Sequence, residues 1–201
     1  RKGKKSKRKY RRVTKRIRDV EAKRIDDRPE GANERSEIGH WEMDCVESGR
    51  GKGRACLLVL NERRSRETLI FKLRSQTQKE VLRQIDEYEN KIGFKRFREK
   101  FKTITVDNGS EFLDWRKLER SCVSIRGEPR TQIYYCHPYH SWERGTNEQA
   151  IGHIRRFIPK GSAIAEYSKK EILKIQEWLN SYPRKVLNGK SAKEVIREES
   201  A

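Results

Sequence analysis

The sequence contains no long hydrophobic run. Its longest uninterrupted apolar stretch is ACLLVL at 55–60, whereas a helix needs roughly 20 apolar residues to cross a bilayer. We therefore predict neither a transmembrane segment nor a signal segment, and no membrane partner.

Cysteine pairs are also absent. No cysteine lies in a CxxC motif, and three of the four fall within strand-like runs, where a free cysteine acts as a small hydrophobic side chain. The group Cys136, His137 and His140 lacks a second pair at the spacing of a zinc finger. We expect reduced thiols in a cytosolic protein and no zinc site. The cysteines are Cys45, Cys56, Cys122 and Cys136.

Acidic side chains are missing from the first 18 residues, which contain 12 basic ones. The whole chain of 201 residues carries a net charge of +19, so +7 remains for the rest. A basic segment without an apolar period cannot bury enough surface to offset its ordering entropy. We predict that residues 1–36 form an arm and linker, mostly disordered alone, that contacts a polyanion. A basic folded part also favours contact with phosphates, although a solvated surface explains its charge equally well.

Hydrophobic patterning predicts five strands. Residues 40–46 alternate between apolar and polar side chains, with the period of a half-buried strand. ACLLVL is typical of a strand covered on both faces. The predicted strands are 40–46, 55–60, 67–73, 103–106 and 132–136.

Capping residues mark the helices between and after these strands. Thr77 and Glu80 form a predicted capping box, and Gly93 closes the helix that they begin. Thr146 is the predicted N-cap of a later helix at about 146–157. The resulting order of strands and helices predicts a mixed α/β sheet with helices packed on it. The other predicted helices are 110–120, 169–181 and 192–199. Capping boxes of Ser168 with Glu171 and of Ser191 with Glu194 mark the start of the last two.

Acidic residues at strand ends are candidate metal ligands. Asp44 lies on the polar face of the first strand, and Asp107 ends the fourth, so the two would meet if these strands are neighbours. Glu148, in the first turn of a later helix, would complete a carboxylate cluster. Clusters of this kind hold the divalent ions that assist chemistry on phosphodiesters.

Each candidate has a structural alternative. Asp107 lies in DNG, where aspartate is more often a turn residue. Glu42 shares the predicted face of Asp44 and is its rival. The helix dipole favours Glu148 in a first turn even without a metal, and Glu143 lies close by. The residues alone leave these alternatives open.

Three segments carry a family resemblance: HWEMD at 40–44, TVDNGSEF at 105–112 and CHPYHSWERGTNEQAIGHIRRFIPKGS at 136–162. Together they resemble the catalytic domain of insertion-sequence-30 family transposases, within the superfamily of DDE transposases and retroviral integrases. LNSYPRKVLNGKSAKEV at 179–195 is similar to the family's C-terminal segment. The resemblance covers roughly residues 20–197.

The resemblance implies a ribonuclease-H-like fold over residues 37–201, with Asp44, Asp107 and Glu148 as the catalytic and metal-binding triad. Glu143 is not a member. It also implies Mg²⁺-dependent hydrolysis at transposon ends and transfer of the 3′-hydroxyl into target DNA, with two ions per site and Mn²⁺ as an alternative. The implied partner is DNA, bound by a homo-oligomer. The implied location is the bacterial cytoplasm, in association with the nucleoid.

The sequence departs from the family pattern at three places. Met43 stands where the family usually has glycine, and Ile151-Gly152 stands where it has Asn-Gly. The 40 residues between Asp107 and Glu148 exceed the usual gap, which a surface insertion at 121–130 would explain. The chain also opens without a methionine and lacks the family's upstream helix-turn-helix region, which predicts a fragment.

Basic side chains near the triad are predicted to hold the DNA backbone. Arg155 follows Glu148 by seven positions on the same helical face, although a solvated charge explains Arg156 nearly as well. Trp142 and Tyr139 would stack on a splayed base or pack beside the helix. The four predicted DNA-binding residues are Arg144, Arg155, Arg156 and Lys160.

Two other functions stay open on the sequence. A ribonuclease-H-like or resolvase-type nuclease would cut DNA without joining it. An inactive remnant would bind nucleic acid through its basic arm. His40, which shares the face of Asp44, is expected to be a hydrogen-bonded structural residue.

Overall fold

The computed structural model describes residues 21–138 and 140–199, apart from the side chain of Ser141. The basic tail and Tyr139 lie outside these residues. Five strands form one mixed sheet: β1 His40–Glu47, β2 Cys56–Glu62, β3 Thr68–Leu73, β4 Thr103–Val106 and β5 Gln132–Tyr135. Their order across the sheet is β3-β2-β1-β4-β5. The first three strands are an antiparallel meander, and β4 and β5 continue the sheet in parallel with β1.

Seven α-helices surround this sheet in the described part of the chain: α1 Glu30–Glu34, α2 Gln78–Ile92, α3 Phe94–Lys100, α4 Trp115–Glu119, α5 Gly145–Phe157, α6 Lys169–Ser181 and α7 Ala192–Glu199. Thr77 is confirmed as the N-cap of α2, because it accepts a hydrogen bond from the Glu80 amide, and Gly93 ends the helix at φ +82°. The reciprocal half of the predicted capping box is absent, since the Glu80 carboxylate accepts from the Arg74 amide instead. Ser168 and Glu171 form the predicted capping box of α6.

The sheet separates two hydrophobic cores. Trp41 and Met43 of β1 point into the core covered by α2 and α3. Val46 and the alternate residues of β2 point into the core covered by α5 and α6. This five-stranded mixed sheet with helices on both faces confirms the predicted ribonuclease-H-like fold class.

Residues 21–36 differ from the expected linker. Ile25, Arg28 and Ala32 are buried, and the Tyr135 amide donates a hydrogen bond of 3.0 Å to the Lys23 carbonyl. The segment therefore covers the outer edge of β5, which would otherwise present unpaired backbone groups. The division of the chain at residue 36 stays a prediction.

The region between β4 and β5 also differs from the prediction of one helix over 110–120. A 3-10 turn at Ser110–Phe112 precedes α4, and Asp114 between them caps α4 through the Lys117 amide. The predicted insertion at 121–130 follows as a loop. The fully buried Arg130 fixes this loop by ion pairs with Asp86 and Glu89 of α2.

Candidate active site

The parallel pairing of β1 and β4 aligns the two candidate aspartates. The register pairs His40 with Thr103 and Glu42 with Thr105. Carried two residues further, it sets Asp44 level with Asp107 at the carboxyl ends of neighbouring strands. The condition that the sequence left open, that these strands are neighbours, is therefore met.

A single arginine contacts both aspartates. Nη1 of Arg144 lies 2.6 Å from Oδ2 of Asp44, and Nη2 donates a 3.2 Å hydrogen bond to Oδ2 of Asp107. Arg144 ends a 3-10 turn at Ser141–Arg144, immediately before α5, and its side chain is largely buried. The two carboxylates thus converge within the span of one guanidinium group. The predicted contact of Arg144 with DNA stays a prediction.

The remaining oxygens of the two aspartates are held by the backbone. Oδ1 of Asp44 accepts a 2.8 Å hydrogen bond from the Cys45 amide. Oδ1 of Asp107 accepts a 2.8 Å hydrogen bond from the Gly109 amide. The turn role considered for Asp107 is therefore present in the structure, but it occupies only one oxygen and leaves the other facing Arg144.

Burial sets the electrostatics of Asp44. Desolvation raises the pKa of its carboxyl from 3.8 to about 6, with a smaller upward effect from the charge of Asp107, while the charge of Arg144 opposes the rise. A carboxylate that is costly to ionise at the edge of a sheet is a candidate for binding a cation, because a nearby positive charge stabilises its ionised form.

Glu42, the rival of Asp44, is a structural residue. It is fully buried, its Oε1 forms an ion pair with Arg63, and its Oε2 accepts a 2.9 Å hydrogen bond from the Asn147 amide. Both oxygens are therefore committed to protein partners. The bond to Asn147 fixes the start of α5 on the sheet, one residue before Glu148.

Glu148 lies in the first turn of α5, as predicted, and is exposed. The predicted N-cap Thr146 is wrong, because the 3-10 turn before α5 starts the helix earlier. Thr146 is instead buried, and its hydroxyl accepts a 2.8 Å hydrogen bond from Arg66. No hydrogen bond or ion pair of Glu148 appears among the described residues, and its convergence with the aspartates stays a prediction.

Two other polar residues near the site have structural partners. His40 bonds Thr103 at 2.8 Å and Glu37 at 2.9 Å through its two ring nitrogens, as the sequence led us to expect. Glu143 bonds the amide and Nδ1 of His137, each at 2.8 Å. The contacts of Glu143 hold the loop before α5, those of His40 hold the start of β1, and both residues are therefore committed to protein partners.

The predicted DNA-binding residues beyond Arg144 lie along α5 and after it. Arg155 is half-buried and reaches the carbonyls of Pro159 at 3.4 Å and Glu47 at 3.3 Å. Arg156 and Lys160 are exposed. Trp142 is 67% exposed and packs edge-on against His140. The structure therefore leaves three of these side chains, Trp142, Arg156 and Lys160, accessible to a partner.

Two hard carboxylate donors on rigid strands suit a divalent cation such as Mg²⁺. Among the described residues, one group of three acidic and thiol side chains has ligand atoms within 4.8 Å of one another: Asp86, Glu89 and Cys122. There Glu89 is already paired with the buried Arg130 and with Ser121, so its role is structural. The three carboxylates of the predicted triad do not form such a compact group.

Comparison with known proteins identifies the family. Residues 34–141 match the model of the integrase core domain, a range that includes Asp44 and Asp107 and ends before Glu148. The chain belongs to the integrase core domain family. Domains of this family generally depend on divalent metal ions.

Several transposases are similar to this integrase core domain. A probable transposase of the insertion-like sequence element IS1161 from Streptococcus salivarius is 34% identical over 175 residues, which are 87% of this chain and 46% of that protein. A transposase of IS4351 from Bacteroides fragilis is 32% identical over 183 residues, 88% of this chain and 51% of that protein. These matches extend past Glu148.

The same resemblance reaches the insertion-sequence-30 elements themselves. The transposase InsI of IS30C from Escherichia coli K12 is 32% identical over 172 residues, 86% of this chain and 41% of that protein. The resemblance predicted from the sequence motifs is thereby confirmed. The chain spans about half the length of these relatives.

Within the described residues, no helix is both long and apolar enough to span a membrane.

Two features of the site were not predicted from the sequence: the contact of Arg144 with both aspartates and the pairing of Glu42 with Arg63. Both depend on partners far away in the chain, and no local signal marks them.

Proposed function

We propose that this integrase core domain is the catalytic part of a DNA transposase. It would hydrolyse a phosphodiester at a transposon end and transfer the freed 3′-hydroxyl into target DNA. The observation that carries the proposal is the pair of aspartates at level positions on neighbouring parallel strands, both in contact with Arg144. The similarity to transposases supports it.

Asp44, Asp107 and Glu148 would hold the metal, which we propose is Mg²⁺ with Mn²⁺ as an alternative, at two ions per site. When bound, divalent ions activate an attacking hydroxyl and neutralise charge on the reacting phosphate. The chain contributes rigidity, because Asp44 and Asp107 are fixed by backbone amides. The hydrogen bond that the Asn147 amide donates to Glu42 fixes the helix that carries Glu148.

Arg144 has two uses in this proposal. In the structure its guanidinium contacts both aspartates and offsets one of their two negative charges. If the aspartates held a cation instead, the guanidinium of Arg144 would be free to pair with a phosphate, for which its geometry is well suited. Arg155, Arg156 and Lys160 would hold the DNA backbone further along.

Assembly and location follow from the same proposal. Joining one transposon end to a target brings two DNA segments to one complex, which a homo-oligomer on DNA would organise. A DNA substrate of this kind would place the protein with the nucleoid in the bacterial cytoplasm. The basic tail at 1–18 would add phosphate contacts.

A branched DNA substrate tests the proposal most simply. It mimics the joined product of a transposon end and a target, so the reverse transfer needs no recognition of the end. A transposase reseals the target strand and releases the end in the presence of Mg²⁺, whereas a nuclease leaves a cut target. Binding without either product would favour the inactive remnant.

A further inference from the structure

The loop between β1 and β2, residues 48–55, alternates glycine with basic residues. Arg50, Lys52 and Arg54 are all exposed. Within the part of the chain that the structure describes, these three side chains have neither a hydrogen bond nor an ion pair. Many other cations are paired, as Arg63 is with Glu42 and Lys100 is with Glu67. The loop therefore presents three uncompensated positive charges.

The base of this loop is fixed to the segment that follows α5. Ser48 Oγ donates a 2.6 Å hydrogen bond to the Ala55 carbonyl and accepts a 3.0 Å bond from the Ile164 amide. The Gly49 amide donates a 2.9 Å bond to the Ser162 carbonyl. The backbone of Gly161 lies so close to Gly49 that a side chain there would overlap it. These contacts fix the position at which the loop projects from the protein surface.

The tip of the loop depends on glycine for another reason. Gly51 and Gly53 have φ values of +75° and +96°, which side-chain-bearing residues rarely adopt. Open space surrounds both. The glycines allow the chain to turn between the basic residues, so the charges lie on an exposed turn above a fixed base.

The position of the loop links it to the candidate active site. Asp44 lies three residues before the end of β1, which is about 10 Å at the usual rise of a strand. The loop therefore emerges at the edge of the sheet where Asp44 and Asp107 lie. The carbonyl of Glu47, at the base of the loop, contacts Arg155 of α5 at 3.3 Å.

We propose that the loop at 48–55 binds the phosphate backbone of DNA beside the candidate active site, with Arg50, Lys52 and Arg54 each meeting a phosphate. The loop carries no aromatic or large apolar side chain, which protein interfaces use as anchors. Phosphate contacts need only charge and backbone amides. The choice of DNA as the polyanion rests on the proposed function.

The test compares two triple variants of the full chain. One removes the loop charges: Arg50→Ala, Lys52→Ala and Arg54→Ala. The control removes three equally exposed charges at the opposite edge of the sheet, near the end of α2 and the start of α3: Lys91→Ala, Lys95→Ala and Arg96→Ala. DNA affinity is measured by fluorescence anisotropy from 50 to 200 mM salt, and thermal unfolding checks that both variants fold.

The loop variant should lose about 2.7 units of the slope of log affinity against log salt, because each phosphate contact contributes about 0.9. Over this salt range its affinity would then fall about 40-fold less than that of the unaltered chain. The control should keep the original slope. Equal slopes in the two variants would overturn the proposal.

The result separates this proposal from the proposed function. A loop-specific change in slope with no strand transfer by the unaltered chain would keep the loop proposal and remove the catalytic one. Strand transfer with equal slopes in both variants would keep the catalytic proposal and remove the loop proposal. A chain with no measurable DNA affinity would overturn both.

Discussion

The two halves of strand β1 carry acidic side chains on the same face in opposite circumstances. Glu42 is fully buried, and both of its oxygens are committed to protein groups. Asp44, two residues along, lies at the open edge with a side chain 21% exposed, and among the described residues Arg144 is its one cationic partner. Position along one strand therefore separates an acid that holds the fold from an acid that is free to exchange its partner.

The partners explain this difference. Arg63 lies in the turn between β2 and β3, and the Asn147 amide belongs to α5, which packs on the sheet. Arg144 lies in the short turn before α5, where its Nε is buried without a hydrogen-bond partner in the described residues. An arginine that is incompletely satisfied is easier to displace than one that is fully bonded. We therefore expect metal binding and catalysis at the half of β1 that carries Asp44.

The largest expected effect is on catalysis at the open edge. Asp107→Asn removes a negative charge that the metal-dependent step requires, so Mg²⁺-dependent processing of the branched DNA should fall about 10³-fold or more, as when a main source of charge stabilisation is lost. DNA affinity should change less than about twofold, because phosphate contacts lie elsewhere. A variant that loses DNA binding in parallel would contradict the assigned role.

Replacing Glu42, in the buried half of β1, should lower the free energy of unfolding instead. Glu42→Gln leaves Arg63 buried without its counter-charge, and breaking a buried ion pair in this way costs about 3–5 kcal/mol. Urea unfolding measures the loss. Glu47→Gln, at the exposed end of the same strand, is the control and should leave the free energy of unfolding unchanged. Equal effects of the two substitutions would show that Glu42 is not a structural acid.

Asp44→Asn, by contrast, should raise the free energy of unfolding at neutral pH. The folded state raises the pKa of Asp44 from 3.8 to about 6, so it holds a proton between these values that the unfolded chain releases. The free energy of unfolding therefore falls as pH rises from about 4 to 6 and stays lower above that range. Asparagine removes this cost.

At pH 7 without metal, the gain in the free energy of unfolding would reach at most about 3 kcal/mol, since one pKa unit corresponds to about 1.4 kcal/mol. Unfolding curves in EDTA at pH 4 and pH 7 provide the measurement. A destabilised Asp44→Asn at pH 7 would mean that the ionised carboxylate supports the fold, as Glu42 does.

The smallest expected effect concerns the arginine that the two aspartates share. Arg144→Ala removes a competitor for the cation, and the net worth of a hydrogen-bonded contact of this kind is about 1 kcal/mol, so metal affinity should rise about fivefold. Calorimetric titration with Mn²⁺ in the absence of DNA measures this change. Arg156→Ala, which removes an exposed charge on α5, is the matched control. Unchanged or weaker binding by Arg144→Ala would refute the competition.

The features predicted from the sequence are those with local causes. The alternation in HWEMDCV, the apolar run of β2 and the caps at Thr77 and Ser168 determine their elements within a few residues, and the structure confirms them. The register that aligns Asp44 with Asp107 could be expected only once the two strands were assumed to be neighbours. The family resemblance supplied that assumption.

The features that escaped prediction have distant causes. Thr146 bonds Arg66 from another element instead of capping α5. Residues 21–36 fold because they cover β5, a strand about 100 residues later in the sequence. Whether Glu42 or Asp44 is structural depends on Arg63 and Arg144, which pair with them only in the folded chain. Sequence patterns indicate the secondary structure that a segment favours. The role of a side chain depends on the partners that it meets in the folded chain.

The most direct test of Asp44 and Asp107 as metal ligands is a crystal structure of the chain grown with Mn²⁺, read from the anomalous signal of the metal. We expect manganese bound by Asp44 and Asp107 at about 2.0–2.2 Å, with Glu148 turned toward it and Arg144 moved off both aspartates. Manganese at Glu42 or at the Asp86 and Glu89 group, with Arg144 still bridging the aspartates, would contradict this assignment.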